Sequence, residues 1–583
     1  MAERLRVRPR GRLRLGGAPE AQREEKEERK PPVFAPKPSL GKPSGLRLPV
    51  ERPRLRIPVP KPAEEKPVEK PAAKPIEPAA EEKPLAPTPA PKKPVALFPE
   101  SNHVVVIPTR NRPGRLATLL ESILENTKKF GYDKRIKIVV VDDSDAAEAA
   151  RNQARVSTLE KKSGGRLELH YYDKSDQQRL VKSLEEQLAL SGIDPKEFIY
   201  EEGNRKGFGG VRNMASLIAQ RHAKTDSILT FLDDDTMLKN LVFKGGEHKL
   251  AYTKSFFHEL DKTFAAPDVN MIGGEVTGDG SGGMFYRVSD GLSYLEKFFL
   301  NAREKSPRSS SDDAQRQMIG TVALPGLSMK DGLKKMGSLT AQLPSGRDRF
   351  RVITTDVLSK QYKFDKKTVH RTDLVPGANV SLRASVVNQI PYFQYKGLRG
   401  EDVIMSCAVN SLLGGVYIIN NPVAHFRDQA NRDVVRESIA DMTCHPVIEA
   451  LREAAGGKGS FVEALKAYST DKAKPHVEGI LYSYPGNRIS IWQNRLPMLK
   501  QIIHGEKSAW WLKPEHANSM KKINSFLQHL ETRLPTARRE LHDSISADKV
   551  AQALRKYGRM LETWRQVTEA ARLAELKERR RAA

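Results

Sequence analysis

From residue 103 onward the chain alternates short apolar runs with amphipathic stretches. His103–Pro108 (HVVVIP) is β-branched and short, which predicts a buried strand. Arg115–Thr127 (RLATLLESILENT) carries apolar residues at helical spacing. Ile136–Val141 predicts a second strand, ending at Asp142-Asp143, and Leu167–Tyr172 a third. Asn213–His222 predicts a helix. Ser227–Leu232 predicts another buried strand, ending at Asp233-Asp234-Asp235. Such alternation implies a parallel sheet between helices, with ligands at the carboxyl ends of the strands. Residues 300–370 are less patterned. Ser306–Asp313 reads as a loop, and glycine pairs stand at 273–274 and 282–283. Strand-like runs return at Val375–Leu382 and Val416–Ile419. Past about residue 430 the pattern is helical and strongly charged. Trp492, Trp510, Trp511 and Trp564 all lie there, which predicts a separate helical unit with its own small core.

Composition changes the picture at the front of the chain. Of 38 prolines, 21 fall in residues 1–97, beside a single aromatic, Phe34. The repeated KP, EKP and AKP units favour polyproline II and cannot bury apolar surface, so 1–97 reads as a disordered arm. At roughly 3 Å per residue it is a long, semi-rigid spacer. It is either a cationic tether to an anionic lipid, nucleic acid or partner, or a solvated tail. The whole chain of 583 residues has a net charge of +26, and the arm, with 23 basic against 13 acidic residues, holds about ten of it. Two cysteines, Cys407 and Cys444, cannot make a disulfide scaffold or a cysteine-rich zinc site. Cys407 reads as a buried small residue rather than a nucleophile. Neither a membrane-length apolar run nor the apolar segment of a secretory signal is present. These features predict a cytoplasmic protein, with peripheral membrane contact through its basic segments left open.

Three acidic clusters are candidates for chemistry, each expected after a strand: Asp142-Asp143, Asp233-Asp234-Asp235 and Glu401-Asp402. Three successive carboxylates repel one another, and a divalent cation relieves that repulsion while bridging to phosphate oxygens. Alternate residues of an extended chain project the same way, so Asp233 and Asp235 could share an ion. A solvated turn is the competing reading. Gly203–Asn213 (GNRKGFGGVRN) is glycine-rich and basic and leads into a helix, whose first N–H groups can hold an anion. Arg205, Lys206 and Arg212 add cationic donors there. The segment lacks the P-loop ending and does not supply G-x-G-x-x-G. It could equally be a plain flexible loop.

The order of these motifs resembles family-2 glycosyltransferases of the GT-A fold. The matching segments are VVVIPTRNRPGRLATLLESI (104–123), IVVVDDSD (138–145), GNRKGFGGVRNMA (203–215), ILTFLDDDTML (228–238), LVPGANVSLRASVV (374–387) and LRGEDVIMSCAVNSLLGGVYIINNPVAHFR (398–427). The resemblance implies an α/β fold, a Rossmann-like, mixed but mainly parallel sheet flanked by helices. It covers about residues 103–430, so a transferase domain is expected at 98–432, between the disordered arm read from composition at 1–97 and the α-helical region read from pattern at 433–583. Pro108, Thr109, Arg110, Asn111, Asp142 and Asp143 match positions that bind the nucleotide base and ribose. Asn204, Gly207 and Arg212 match the segment facing ribose and diphosphate. Asp233, Asp234 and Asp235 match the diphosphate and metal segment, with Asp233, Asp235 and His425 as metal ligands. Gly377, Ala378 and Asn379 match the wall where donor sugar and acceptor meet. Asp402, with Glu401 beside it, matches the catalytic base. The bland readings are a helix-terminal acidic pair for Glu401-Asp402, a structural role for His425 and an ordinary turn for 377–379.

The function implied is an inverting, metal-dependent transfer of one sugar from a nucleoside-diphosphate sugar, UDP- or GDP-linked. The acceptor hydroxyl would belong to a glycan, lipid or protein. Mg²⁺ or Mn²⁺ would neutralise charge on the leaving diphosphate, and Asp402 would take the acceptor's proton. The processive synthases of the family carry Q-x-x-R-W, which Trp492-Gln493-Asn494-Arg495 does not reproduce. Two other functions compete. A sugar nucleotidyltransferase should carry its glycine-rich signature directly after the first strand, where this chain has PTRNRPG. A cationic scaffold or nucleic-acid-binding protein with a degenerate domain should have lost its acids; no specific nucleic acid is expected, since basic charge stands here without a recognised RNA or DNA module.

Overall fold

The computed structural model describes residues 98–201, 205–244, 247–278, 284–308, 328–342, 370–375, 377–425, 433–483 and 486–582. The arm assigned to 1–97 lies outside them. The described strands are β1 (Glu100–Thr109), β2 (Arg135–Asp142), β3 (Leu167–Tyr172), β4 (Ile228–Leu232), β5 (Thr236–Met237), β6 (Asn240–Lys244), β7 (Glu247–Ala251), β8 (Met271–Gly278), β9 (His370–Arg371), β10 (Asn379–Arg383) and β11 (Val416–His425). One sheet takes the order β3-β2-β1-β4-β10-β8-β11-β5, with β9 also on β11, while β6 and β7 form a hairpin. Pairing is parallel from β3 through β4 and between β8 and β11. β10 runs antiparallel between β4 and β8. The architecture is a mixed α/β sheet flanked by helices, with a helical C-terminal region.

The apolar runs explain the layers. Val104 and Val106 of β1 face one side of the sheet, with Val139, Met214 and Ile218. Val105 and Ile107 face the other, with Ile138, Val140 and the apolar stripe Leu116, Leu119, Leu120 and Ile123. Strands buried on both faces need continuous apolar sequence, which HVVVIP and IKIVVV supply.

Three expectations are corrected. The tryptophans do not form a core of their own. Trp564 packs on Phe198 with ring centroids 5.3 Å apart, and its indole N–H donates to the Val387 carbonyl at 2.7 Å. The Trp510 indole N–H donates to the Ala302 and Lys305 carbonyls. The C-terminal helices therefore bury their apolar faces in the core on one side of the sheet. Glu401-Asp402 does not follow a strand but opens the helix Glu401–Leu412, after Gly400 at φ 90°. The helix expected from Asn213 begins at Phe208. Its glycines are there for close packing: a Cβ on Gly209 would lie 2.0 Å from the Phe393 carbonyl oxygen, and one on Gly210 2.0 Å from that of Ile199.

Candidate active site

The acid triplet leaves the carboxyl end of β4 and enters β5, which pairs antiparallel with the end of β11. That register sets His425 opposite Thr236 and brings its Nε2 to 2.9 Å from Asp235 Oδ1. One ligand atom each from Asp233, Asp235 and His425 lies within 4.8 Å of the others. Two carboxylates and an imidazole form a donor set that could hold a metal ion, and Asp235 and His425 are buried while Asp233 is half-buried.

Two arginines face the three acids of the triplet. Asp233 Oδ1 accepts from Arg212 Nη2 at 2.6 Å. Asp234 is turned inward: Oδ2 accepts from Thr109 Oγ1 at 2.7 Å and Oδ1 from Arg112 Nη1 at 3.0 Å. The same Arg112 nitrogen reaches Asp235 Oδ2 at 3.1 Å. Burial pushes the Asp234 carboxyl up to about 6, although the Arg112 charge pulls the other way. Sequence reasoning passed over Arg112. Its place beside the acids follows from the parallel pairing of β1 with β4, which the sequence pattern does not disclose.

Arg212 joins this cluster to the second acidic pair. It is buried near the start of Phe208–Gln220, and its Nη2 lies 3.8 Å from Asp402 Oδ2. Burial opposes its charge, but Asp402 and Asp233 raise its pKa above the ordinary arginine value. Asp402 is pushed up to about 7, chiefly by burial; Arg212 lowers it, while Glu401 and Asp233 add to the rise. Glu401 is also raised by burial. Asp402 Oδ1, Arg212 Nη1 and the Tyr392 hydroxyl are buried and have no hydrogen-bond partner among the described residues. Gly377 lies against this carboxylate: a Cβ there would be 2.1 Å from Asp402 Oδ2. Ala378 follows at φ 75°, and Asn379 donates from Nδ2 to the Asn421 carbonyl at 2.9 Å.

The β1 and β2 ends form the other wall. Asn111 sits at φ 55°, its N–H donating to Ser144 Oγ at 2.6 Å and its side chain exchanging two hydrogen bonds with Asp145. Asn111 and Ala378 are the two non-glycine residues at positive φ among the described residues, and both lie in segments assigned to the site. Asp142 and Asp143 diverge. Asp142 is buried and accepts from the Ser144 N–H, Asn152 Nδ2 and the Tyr171 hydroxyl. Asp143 is half-buried and accepts from Lys206 Nζ at 3.0 Å. Pro108 is half-buried and Arg110 exposed. Gly207 caps the Phe208 helix, and a Cβ there would lie 1.9 Å from Glu201 Oε1. Asn204 lies outside the described residues.

No protein-family model and no curated protein matches the chain. Among solved structures it is similar to the crystal structure of mannosyl-3-phosphoglycerate synthase from Rubrobacter xylanophilus, with a TM-score of 0.28 and 13% identity over 62% of this chain and 77% of that one. A superposition of that quality carries no argument about the site. Among the described residues no helix is long and apolar enough to cross a membrane.

Proposed function

We propose that this chain is an inverting, nucleotide-sugar-dependent glycosyltransferase of the GT-A type, its transferase domain lying at 98–432. The observation that carries the reading is the convergence of Asp233 and Asp235, in the turn between β4 and β5, with His425 at the end of β11, and with Arg212 linking them to Asp402. Acidic triplets are common on surfaces. Two acids facing a histidine from another strand, beside a buried fourth acid, are not expected of a solvated turn.

Asp233, Asp235 and His425 would hold Mg²⁺ or Mn²⁺. When bound, the ion would neutralise negative charge on a leaving diphosphate. Asp143 and the Pro108–Asn111 loop are the groups offered to the nucleotide of a UDP- or GDP-linked donor. Arg212 keeps a fixed positive charge between Asp233 and Asp402, where it orients both carboxylates. Asp402 is the general base. With its pKa near 7, a large share of it is ionised at neutral pH, and it binds a proton strongly enough to take one from an acceptor hydroxyl. Gly377 leaves the space in which that carboxylate sits. The acceptor is a hydroxyl of a glycan, lipid or protein.

The test is a screen of UDP- and GDP-sugars for donor hydrolysis with and without Mn²⁺, with Asp235→Ala and Asp402→Asn beside the parent. Both substitutions should lower turnover at least 100-fold, and Asp235→Ala should also weaken Mn²⁺-dependent donor binding. Unchanged binding and turnover in both variants would refute the site. Tight nucleic-acid binding without donor turnover would favour the scaffold function instead.

A further inference from the structure

The acids after β4 are neutralised by two arginines that differ in kind. Arg212 is built in: its side chain is 7% exposed, it belongs to a helix, and its guanidinium lies over the Phe231 ring. Arg112 sits on the loop after β1, as the residue before Pro113, with 32% of its side chain exposed. One of its nitrogens is shared between Asp234 Oδ1 and Asp235 Oδ2. The other oxygen of Asp235 faces His425. Both oxygens of Asp235 therefore have partners, and a divalent cation on Asp233, Asp235 and His425 must compete with Arg112 for this carboxylate. A guanidinium cannot escape by losing its proton. It must stay beside a like charge or move. Thr109 holds Asp234 in place independently, so moving Arg112 does not release that acid. A half-exposed guanidinium displaced toward solvent at the same spot presents the planar donor fork that binds phosphate oxygens.

We propose that Arg112 is an exchangeable counter-cation. It neutralises Asp235 in the free protein, yields that carboxylate to the divalent cation, and then serves as a ligand of the donor's diphosphate. The inference rests on the metal and donor assignments proposed above and adds a residue with two opposed effects. Arg112 weakens metal binding when no donor is present and strengthens diphosphate binding once the metal is bound. Metal and donor are thereby coupled through one side chain. An arginine that merely supported Asp235 would strengthen both.

The experiment uses the full chain, as parent, Arg112→Ala and Arg112→Lys. Mn²⁺ affinity is measured by electron paramagnetic resonance of the free ion, without any phosphate compound. UDP and GDP affinities are measured by calorimetry at saturating free Mn²⁺. Arg112→Ala should bind Mn²⁺ about tenfold more tightly and the preferred nucleotide about tenfold more weakly. Arg112→Lys keeps the charge without the fork, so its Mn²⁺ affinity should stay near the parent's while nucleotide binding weakens. If Arg112→Ala does not fold, the lysine variant decides alone, and unchanged nucleotide binding in it overturns the proposal. Mn²⁺ binding in Arg112→Ala no tighter than in the parent, or unchanged nucleotide binding, also overturns it. A parent that takes up no Mn²⁺ refutes the cation site itself, and the inference with it. That pattern is distinct from a parent that binds Mn²⁺ and a variant without opposed shifts.

Discussion

Asp402→Asn should stabilise the protein, and more so at high pH. The carboxyl is buried and its pKa is pushed from the ordinary range near 4 up to about 7. Between those values the native state keeps a proton that the unfolded chain has already released. Stability therefore falls as pH rises through that window, and the loss is complete above pH 7. Asparagine cannot titrate, so the variant escapes this penalty. The two values give a gain about 2–3 kcal/mol larger at pH 8 than at pH 5. Glu401 is raised in the same direction and repels Asp402, so removing that charge also relaxes the rise at Glu401, which adds to the gain at high pH. The assay is urea unfolding of parent and variant at both pH values, followed by far-UV circular dichroism. A gain that does not grow with pH, or a variant less stable than the parent at pH 8, would refute the burial argument. That result would mean that Arg212 dominates the carboxylate and holds it ionised.

Two further outcomes follow from backbone geometry. Gly377→Ala places a methyl group 2.1 Å from Asp402 Oδ2, so donor turnover should drop at least tenfold while the melting temperature moves by only a few degrees. Turnover equal to the parent's would remove Asp402 from the base role or Gly377 from its neighbourhood. Asn111 adopts φ 55°, which strains alanine but not glycine, so Asn111→Ala should be less stable than Asn111→Gly by about 1 kcal/mol in urea unfolding. Both variants lose the Asp145 side-chain hydrogen bonds, so the difference reports backbone strain less the smaller unfolded-state entropy of alanine. Equal stability would contradict it.

Local pattern alone made several elements legible. β1 to β4 were readable because strands buried on both faces must be apolar throughout, and a short β-branched run has few other uses. The helix start at Phe208 was not readable. Gly209 and Gly210 lower helix propensity, and only packing against Ile199 and Phe393 requires them. The tryptophan cluster misled because proximity in sequence says nothing about which core a side chain enters. For the site, residue type identified the acids but not their directions. That Asp142 is enclosed by Ser144, Asn152 and Tyr171 while Asp143 meets Lys206 depends on neighbouring strands and loops.

The sequence by itself determined the strand–helix alternation, the distinct composition of the arm and the acids that follow β2 and β4. These follow from short-range periodicity and composition, which need no knowledge of distant partners. Only the tertiary structure decided which cation meets which acid. The β5–β11 register carries His425 to Asp235, the helix Phe208–Gln220 carries Arg212 between Asp233 and Asp402, and the loop after β1 carries Arg112 to Asp235. The physical reason is range. Charge pairing depends on separations of a few ångströms between residues far apart in the chain, and those are set by strand order and register.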